Sequence, residues 1–296
     1  MKFDIIIIGA GIAGTTLSHY LDPSIKTLIL EKNKFPSHKP CGNIISQHGF
    51  DLLPSPPDYI FNSPKTMQLR MNSSIICSKF YNLRRMSYYK WIVSPNCSIL
   101  DNTAILNISR SNNEFVVCTD RGEFGCDFLV GADGVLSKVR RSFYKKQNII
   151  NAIQFTYNGI EQSTFDMIND KSISNDYYAW FIPVDGNVLI GADVASKDKL
   201  IKYVNIHYSS STIINTEYMP ITKIQSIEEV ITGDDRLLLV GEAAGMVQPT
   251  FGAGINFAIS SAISAAKSIN TGESYKKLCE PIIQSLSYEL DSPGRF

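Results

Sequence analysis

The 296-residue sequence has no apolar run approaching the ~18 residues that a membrane-crossing helix needs, so no span is expected. It has no excess of either charge: 28 Lys and Arg stand against 28 Asp and Glu. Nothing global therefore points to nucleic acid or to an acidic partner. Six cysteines, at positions 41, 77, 97, 118, 126 and 279, form no CxxC pair, and the four histidines make no metal-spaced cluster. His38, Cys41 and His48 are close in sequence but lack a fourth ligand nearby, so no metal site is read there. The first strand begins within three residues of Met1, which leaves no room for a signal peptide and sets a cytoplasmic expectation. A reducing compartment argues in turn against a disulfide framework. What remains is the composition of a globular protein, 44% apolar and long enough for one or two domains.

What the sequence does contain is concentrated in Lys2 to Lys32. Asp4-Ile5-Ile6-Ile7-Ile8 is a β-branched run suited to a strand buried on both faces. Gly9-Ala10-Gly11-Ile12-Ala13-Gly14 follows at once, then a helix from Thr15 to Leu21 stopped by Asp22-Pro23, then a second apolar strand, Thr27 to Leu30, closing on Glu31. Gly9 permits the tight turn, Gly11 lets backbone approach a pyrophosphate, and Gly14 lets helix pack on strand. The helix N-terminus, through Ile12 and Ala13, offers N–H groups and partial positive charge to phosphate, while Glu31, with Lys32 beside it, places a carboxylate where ribose hydroxyls can be held. Strand, glycine turn, helix, strand and acid make a dinucleotide-binding unit. A second fingerprint of this kind, which a nicotinamide carrier would use, is absent.

Further along, Lys39-Pro40-Cys41-Gly42 sits in a loop, and the Pro- and Ser-rich Leu53 to Pro64 reads as a crossing between domains. Strands are expected in Thr66 to Lys79, a helix in Leu83 to Val93 carrying Arg84 and Arg85, and strands in Ser98 to Ile108 and Glu114 to Thr119. Asp120-Arg121-Gly122 turns the chain into a strand ending at Gly131-Ala132-Asp133-Gly134. That puts Asp133 either at a ligand-binding carboxyl end or in the role of a helix cap. Residues 150–230 change character, with a hairpin from Tyr177 to Pro183 and Val188 to Val194 and a helix over Lys197 to His207. Leu237 to Val240 is again a buried strand, running into Gly241-Glu242, Pro249, Gly252, Gly254 and Ile255 and a small-residue helix, Asn256 to Ile269. Its glycine-rich start suits a phosphate or ring edge, or else a tightly packed helix pair. A last helix is expected over Ser274 to Leu290.

Three of these segments together resemble the flavin-dependent oxidoreductases of the para-hydroxybenzoate hydroxylase group: GAGIAG with Glu31, GADGVLSKVR, and GEAAGMVQPTFGAGINFAI. The resemblance implies an α/β fold, a Rossmann-type FAD-binding domain with an inserted β-rich (α+β) substrate domain. The domains are expected at 1–65, 81–150 and 228–296 for FAD, and at 66–80 and 151–227 for substrate. It implies FAD as cofactor, with Asp133 near the pyrophosphate and Glu242, where the group usually has Asp, near the ribityl chain. Within the group the chain is similar to geranylgeranyl reductases, through Lys39-Pro40-Cys41-Gly42 with Asn43 at the usual second glycine, Arg85-Met86-Ser87-Tyr88, and Tyr178-Ala179-Trp180-Phe181-Ile182-Pro183. The last stretch also resembles a motif of flavin halogenases.

The activity this implies is reduction of C=C bonds in isoprenoid or prenyl lipid chains by hydride from reduced flavin. Cys41 would shape the flavin face or relay a proton, or else be a small buried hydrophobe. Tyr178, Trp180 and Pro183 would line an apolar channel, or simply pack a core. Arg85 would meet a cofactor phosphate or sit on a solvated helix face. The electron donor is open between ferredoxin, a quinol-like carrier and NADPH, and a lipid substrate implies peripheral membrane contact. Two other readings stand beside this one: a flavin monooxygenase or halogenase, and a truncated, non-catalytic FAD-binding protein.

Overall fold

The computed structural model describes residues 1–72, 74–111, 114–175 and 178–291. The chain falls into two compact units, one made of 1–38, 86–148 and 222–296 and the other of 39–85 and 149–221.

The first unit is built on a 7-stranded sheet. The strand Lys2–Ile8 lies at its centre, parallel to Thr27–Leu30 on one side and to Gly122–Gly131 on the other. Ser98–Leu100 extends the sheet beyond Thr27–Leu30, and Leu237–Leu239 pairs with the end of Gly122–Gly131, both parallel. The beginning of Gly122–Gly131 pairs instead with Glu114–Thr119 in an antiparallel ribbon that includes Ile105–Ser111. Ile5 to Ile8 are each at most 3% exposed, as a central strand covered on both faces requires. Each such side chain contributes roughly 1.5–3 kcal/mol on burial.

The register decides where the motifs go. Ile8 is opposite both Leu30 and Gly131, Leu30 is opposite Leu100, and Gly131 is opposite Leu239. All five parallel strands therefore stop level. The segments after Ile8, Leu30, Gly131 and Leu239 leave from one edge, at the point where strand order reverses and open α/β sheets bind their ligands. The helices Ile12–Tyr20 and Ile255–Thr271 pack against each other. The latter offers Ala258, Ala262, Ala265 and Ala266 as a narrow buried stripe.

The second unit holds an 8-stranded sheet ordered Thr212–Thr222, Ile149–Asn158, Asn187–Asp193, Ala179–Val184, Phe165–Ile168, Phe61–Met71, Ser74–Leu83 and Ile44–Ser46. One face carries Ile153, Phe155, Phe181 and Ile190, packed with Leu200 and Val204 of the helix Lys197–His207. Strand alternation puts Trp180 and Ile182 on the other face.

Some elements differ from the sequence reading. Leu53 to Pro64 is not a crossing; it lies inside the second unit, and Phe61 opens a hairpin with Ser74–Leu83. Pro64 sits where the pairing shifts between Phe61 and Thr66, an irregularity that accommodates a residue without an N–H. That hairpin cannot be divided at 65 or 80, so the second unit takes more of the early chain than 66–80. The helix near Arg84 starts at Arg85, Ser98 to Ile108 is two strands, and the final helix is broken into Tyr275–Leu278 and Glu280–Asp291. Tyr177 lies outside the described residues. Among the described residues no helix is long and apolar enough to cross a membrane, and no group of three or more His, Cys, Asp or Glu is placed to hold a metal.

Candidate functional site

The first glycine turn has two kinds of glycine. Gly9 has φ +102° and runs so close to the second motif that a Cβ on it would lie 2.6 Å from the Ala132 carbonyl oxygen. A Cβ on Gly14 would lie 2.0 Å from the Gly9 carbonyl oxygen. Both are glycines because the protein leaves no room. Gly11 is different: its φ is an ordinary −78°, and a Cβ there meets no protein atom within 4 Å. Nothing inside the chain demands glycine at Gly11, and the open space beside it lets a ligand approach the backbone. The helix Ile12–Tyr20 begins at this point with no side-chain cap, so no side chain competes for the N–H groups of its first turn.

Glu31 borders the same turn and is 8% exposed. Its Oε2 accepts the Ala10 N–H at 2.9 Å and its Oε1 accepts the Asn33 N–H at 2.9 Å. Each oxygen keeps a second lone pair to accept from a ligand hydroxyl. Lys32 is exposed.

In the second motif Asp133 is a cap. Its Oδ1 accepts the Ser137 hydroxyl at 2.5 Å, and its Oδ2 accepts the N–H groups of Lys138 at 2.6 Å and Val139 at 3.3 Å. Ser137 completes the helix start by accepting the Arg140 N–H at 2.9 Å. Removal from water pushes the Asp133 carboxyl above its ordinary range, against the pull of those hydrogen bonds. Gly134 follows with φ +73°.

The third motif is tied to both others. A Cβ on Gly241 would lie 3.1 Å from Ala258 Cβ and 3.3 Å from Ala13 Cβ, and the Gly241 N–H donates to Ser261 Oγ at 2.8 Å. Glu242 turns its carboxylate toward the backbone, where Oε1 accepts the Thr222 N–H at 3.3 Å. Pro249 lies in a loop closed by Gln248: its N–H donates to Ala253, its carbonyl accepts from Gly252, and its side-chain oxygen accepts the Phe251 N–H. Gly254 then opens the helix of Ile255, again without a side-chain cap. Two uncapped helix starts, the Gly11 space and the Glu31 carboxylate thus belong to one unit, and they suit a pyrophosphate flanked by ribose.

Cys41, Gly42, Tyr178, Trp180 and Pro183 all belong to the second unit, as does Arg85, which starts the helix Arg85–Ile92. A Cβ on Gly42 would lie 2.7 Å from Ile182 Cδ1, so the Cys41 loop rests on the face that also carries Trp180. Cys41 Sγ accepts the Asn43 N–H at 3.3 Å. Burial pushes the Tyr178 hydroxyl far up, with Cys41 nearby adding to the shift. The Tyr178 and Trp180 rings are 5.9 Å apart. Trp180 is 5% exposed, lies over Gly191, and donates its indole N–H to Gln154 Oε1 at 3.0 Å. Pro183 is buried, and alternation puts it with Phe181 on the opposite face.

The FAD-binding domain family matches residues 97–272, more than half of the sequence. The chain belongs to that family. FAD is its cofactor, and it is grouped with the FAD-dependent oxidoreductases. Among curated proteins it is 27% identical over 302 residues to an uncharacterized protein of Methanosarcina barkeri, covering 91% of this chain and 75% of that one. It is 26% identical over 290 residues to Protein CbrA of Escherichia coli K12, covering 88% and 82%. Among solved structures, a geranylgeranyl bacteriochlorophyll reductase-like protein of Thermoplasma acidophilum superposes with TM-score 0.76 at 18% identity, covering 98% of this chain and 83% of that one. PqsL of Pseudomonas aeruginosa, a probable FAD-dependent monooxygenase, gives TM-score 0.69 at 14% identity, covering 99% and 93%. The halogenase PltM gives TM-score 0.72 at 14% identity, covering 97% and 73%. At these identities the structures share the fold.

Around the three glycine turns, Arg140, Gln147 and Gln248 carry contacts beyond the motif residues named above. Arg140 is 2% exposed and donates to the carbonyls of Lys145, Glu229 and Ala243. Gln147 donates to the carbonyls of Glu242 and Ala243 and accepts the Thr222 hydroxyl. Gln248 staples the Pro249 loop. Arg140 and Gln248 had a signal, since they lie inside the GADGVLSKVR and GEAAGMVQPTFGAGINFAI stretches; Gln147 had none.

Proposed function

We propose that this FAD protein reduces carbon–carbon double bonds in isoprenoid or other prenyl lipid chains, in the manner of geranylgeranyl reductases. The observation that carries the reading is the seating of the Cys41–Gly42 loop on Ile182, on the same sheet face as Trp180. Saturating an isolated alkene takes a hydride at one carbon and a proton at the other. Reduced FAD supplies the hydride. This chain must supply an apolar bed and a proton. Trp180, held edge-on by Gln154, and Ile182 give the bed a flat aromatic wall and an aliphatic floor. Tyr178 stays a neutral phenol because burial opposes its ionisation, so it adds polarity without charge. The Cys41 sulfur, fixed by the Asn43 N–H, is the group we assign to hold the proton at Sγ. Electrons come from ferredoxin or NADPH, and a lipid substrate brings the protein to a membrane surface.

The test is anaerobic incubation of the chemically reduced protein with a geranylgeranyl lipid, followed by mass spectrometry. Gain of two-hydrogen units is the expected result, and an unchanged lipid mass defeats the reading. Oxygen consumption with NADPH and an aromatic substrate would favour a monooxygenase or halogenase instead. Bound FAD that no acceptor reoxidises would favour a non-catalytic flavin carrier. Cys41→Ala should retain FAD and lower turnover; unchanged turnover returns Cys41 to a packing role.

A further inference from the structure

We propose that Asn82, Asn62 and Arg84 are positioning residues for Cys41, joined in a one-way hydrogen-bond relay that ends on its sulfur. The proposal rests on the assignment of Cys41 above and deepens it. Asn82 is wholly buried and Asn62 is 7% exposed, so their carboxamides must find partners inside the protein. Arg84 Nε donates to Asn62 Oδ1 at 2.7 Å. Asn62 Nδ2 donates to Asn82 Oδ1, and Asn82 Nδ2 donates to the Gly42 carbonyl at 3.0 Å. The outer end of the chain is pinned by Asp185, whose two carboxylate oxygens accept from Arg84 Nη2 at 3.0 and 3.1 Å.

The direction of this chain is not arbitrary. A guanidinium only donates and a carbonyl only accepts, so the two ends fix the orientation of both carboxamides between them. The Gly42 carbonyl and the Asn43 N–H are the two halves of one peptide group. Asn43 has φ +59°, and its N–H points back to Cys41 Sγ at 3.3 Å. Donation therefore runs without interruption from the Arg84 cation through Asn62, Asn82 and the Gly42–Asn43 peptide to sulfur. Hydrogen bonds in series polarise one another, so a charge at the far end strengthens the last donor. An N–H aimed at sulfur holds the side chain in one rotamer and fixes the direction in which the sulfur meets an alkylating reagent. Cys118 is the opposite case: its sulfur donates to Glu123 Oε1 at 2.8 Å and has no part in the relay.

The experiment uses the FAD-loaded full chain, treated with iodoacetamide at neutral pH, quenched at intervals and mapped by peptide mass spectrometry. Cys41 and Cys118 are followed separately in the same sample. Asn82→Leu should slow alkylation at Cys41 by about fivefold, the worth of one hydrogen bond. Arg84→Met, four hydrogen bonds from the sulfur and with a side chain 46% exposed, should slow it by about twofold while leaving the fold intact. Arg84→Lys, which keeps a cation and a donor, should recover part of that loss. Cys118 should react at the same rate throughout. Wild-type rates at Cys41 in folded Asn82→Leu and Arg84→Met would overturn the relay, as would equal changes at Cys41 and Cys118. No lipid enters this assay, so the relay can fail while alkene reduction stands, and the reverse.

Discussion

Arg140 and Ala243 lie in different motifs, 103 positions apart, and meet through a hydrogen bond of 3.3 Å from Nη1 to the carbonyl oxygen. The same guanidinium reaches the Glu229 carbonyl at 2.6 Å and the Lys145 carbonyl at 2.9 Å. Arg140 is 2% exposed, and burial draws its pKa down while leaving it cationic. It clamps the Gly241–Ala244 turn to the helix after Asp133, at the edge where the parallel strands end.

Arg140→Met should therefore cost about 2–3 kcal/mol of stability, because buried carbonyls lose their donor. It should also weaken FAD binding. Arg140→Lys should recover little, since an ammonium cannot fork to three carbonyls. Urea unfolding of the apo and FAD-loaded protein, with FAD titration by fluorescence, measures both effects.

The glycines separate stability from binding. Gly14→Ala places a methyl carbon 2.0 Å from the Gly9 carbonyl and should destabilise the apoprotein by about 2 kcal/mol or more. Gly11→Ala or Gly11→Val adds atoms into open space and should leave apoprotein stability within about 0.5 kcal/mol. Gly11→Val should nevertheless abolish FAD uptake. A yellow, fully loaded Gly11→Val protein would contradict the assignment of that space to the cofactor.

Asp133 gives a pH dependence of definite sign. Its folded-state pKa is raised, so the folded protein binds its proton more tightly than the unfolded chain. The associated stability is complete below the unfolded carboxylate value and is lost as pH rises through the folded value. Asp133→Asn removes this slope. The amide can still accept from Lys138 and Val139 and donate to Ser137, so the cap persists at a cost of about 1 kcal/mol or less. Unfolding of both proteins at a series of mildly acidic pH values should show the difference between them shrinking as pH rises through that window.

Trp180 and Gln154 form the polar contact that fixes the indole ring. Gln154→Leu leaves the buried indole N–H without its acceptor and should cost about 1–3 kcal/mol. If Trp180 contacts the lipid, KM should rise more than kcat falls. A Gln154→Leu protein of wild-type stability would show that the indole finds another partner.

The parts legible in the sequence were those whose chemistry is local. The Ile5–Ile8 run, the glycine turn after it, Glu31 and the Leu237–Leu239 strand each announce themselves over a few residues. The capping role of Asp133 is local as well, since it accepts from Ser137, Lys138 and Val139 a few residues on. Asn43 has a positive φ, which only a few residue types tolerate, Asn among them. What could not be read depends on distant partners. Pro64 suggested a linker because the bulge that admits it is made with Ser74–Leu83. Trp180 is a packed residue, because Gly191 on the neighbouring strand leaves it a seat. Glu242 turns away toward Thr222, a residue whose proximity no local pattern encodes.

The level finish of Ile8, Leu30, Leu100, Gly131 and Leu239 means that sequence spacing between motifs has no bearing on whether they meet. Loops joining those strands can lengthen, shorten or take up whole new modules, and the segments that follow the strands still start from the same rim. Relatives with very different spacings between their glycine signatures should therefore share one cradle.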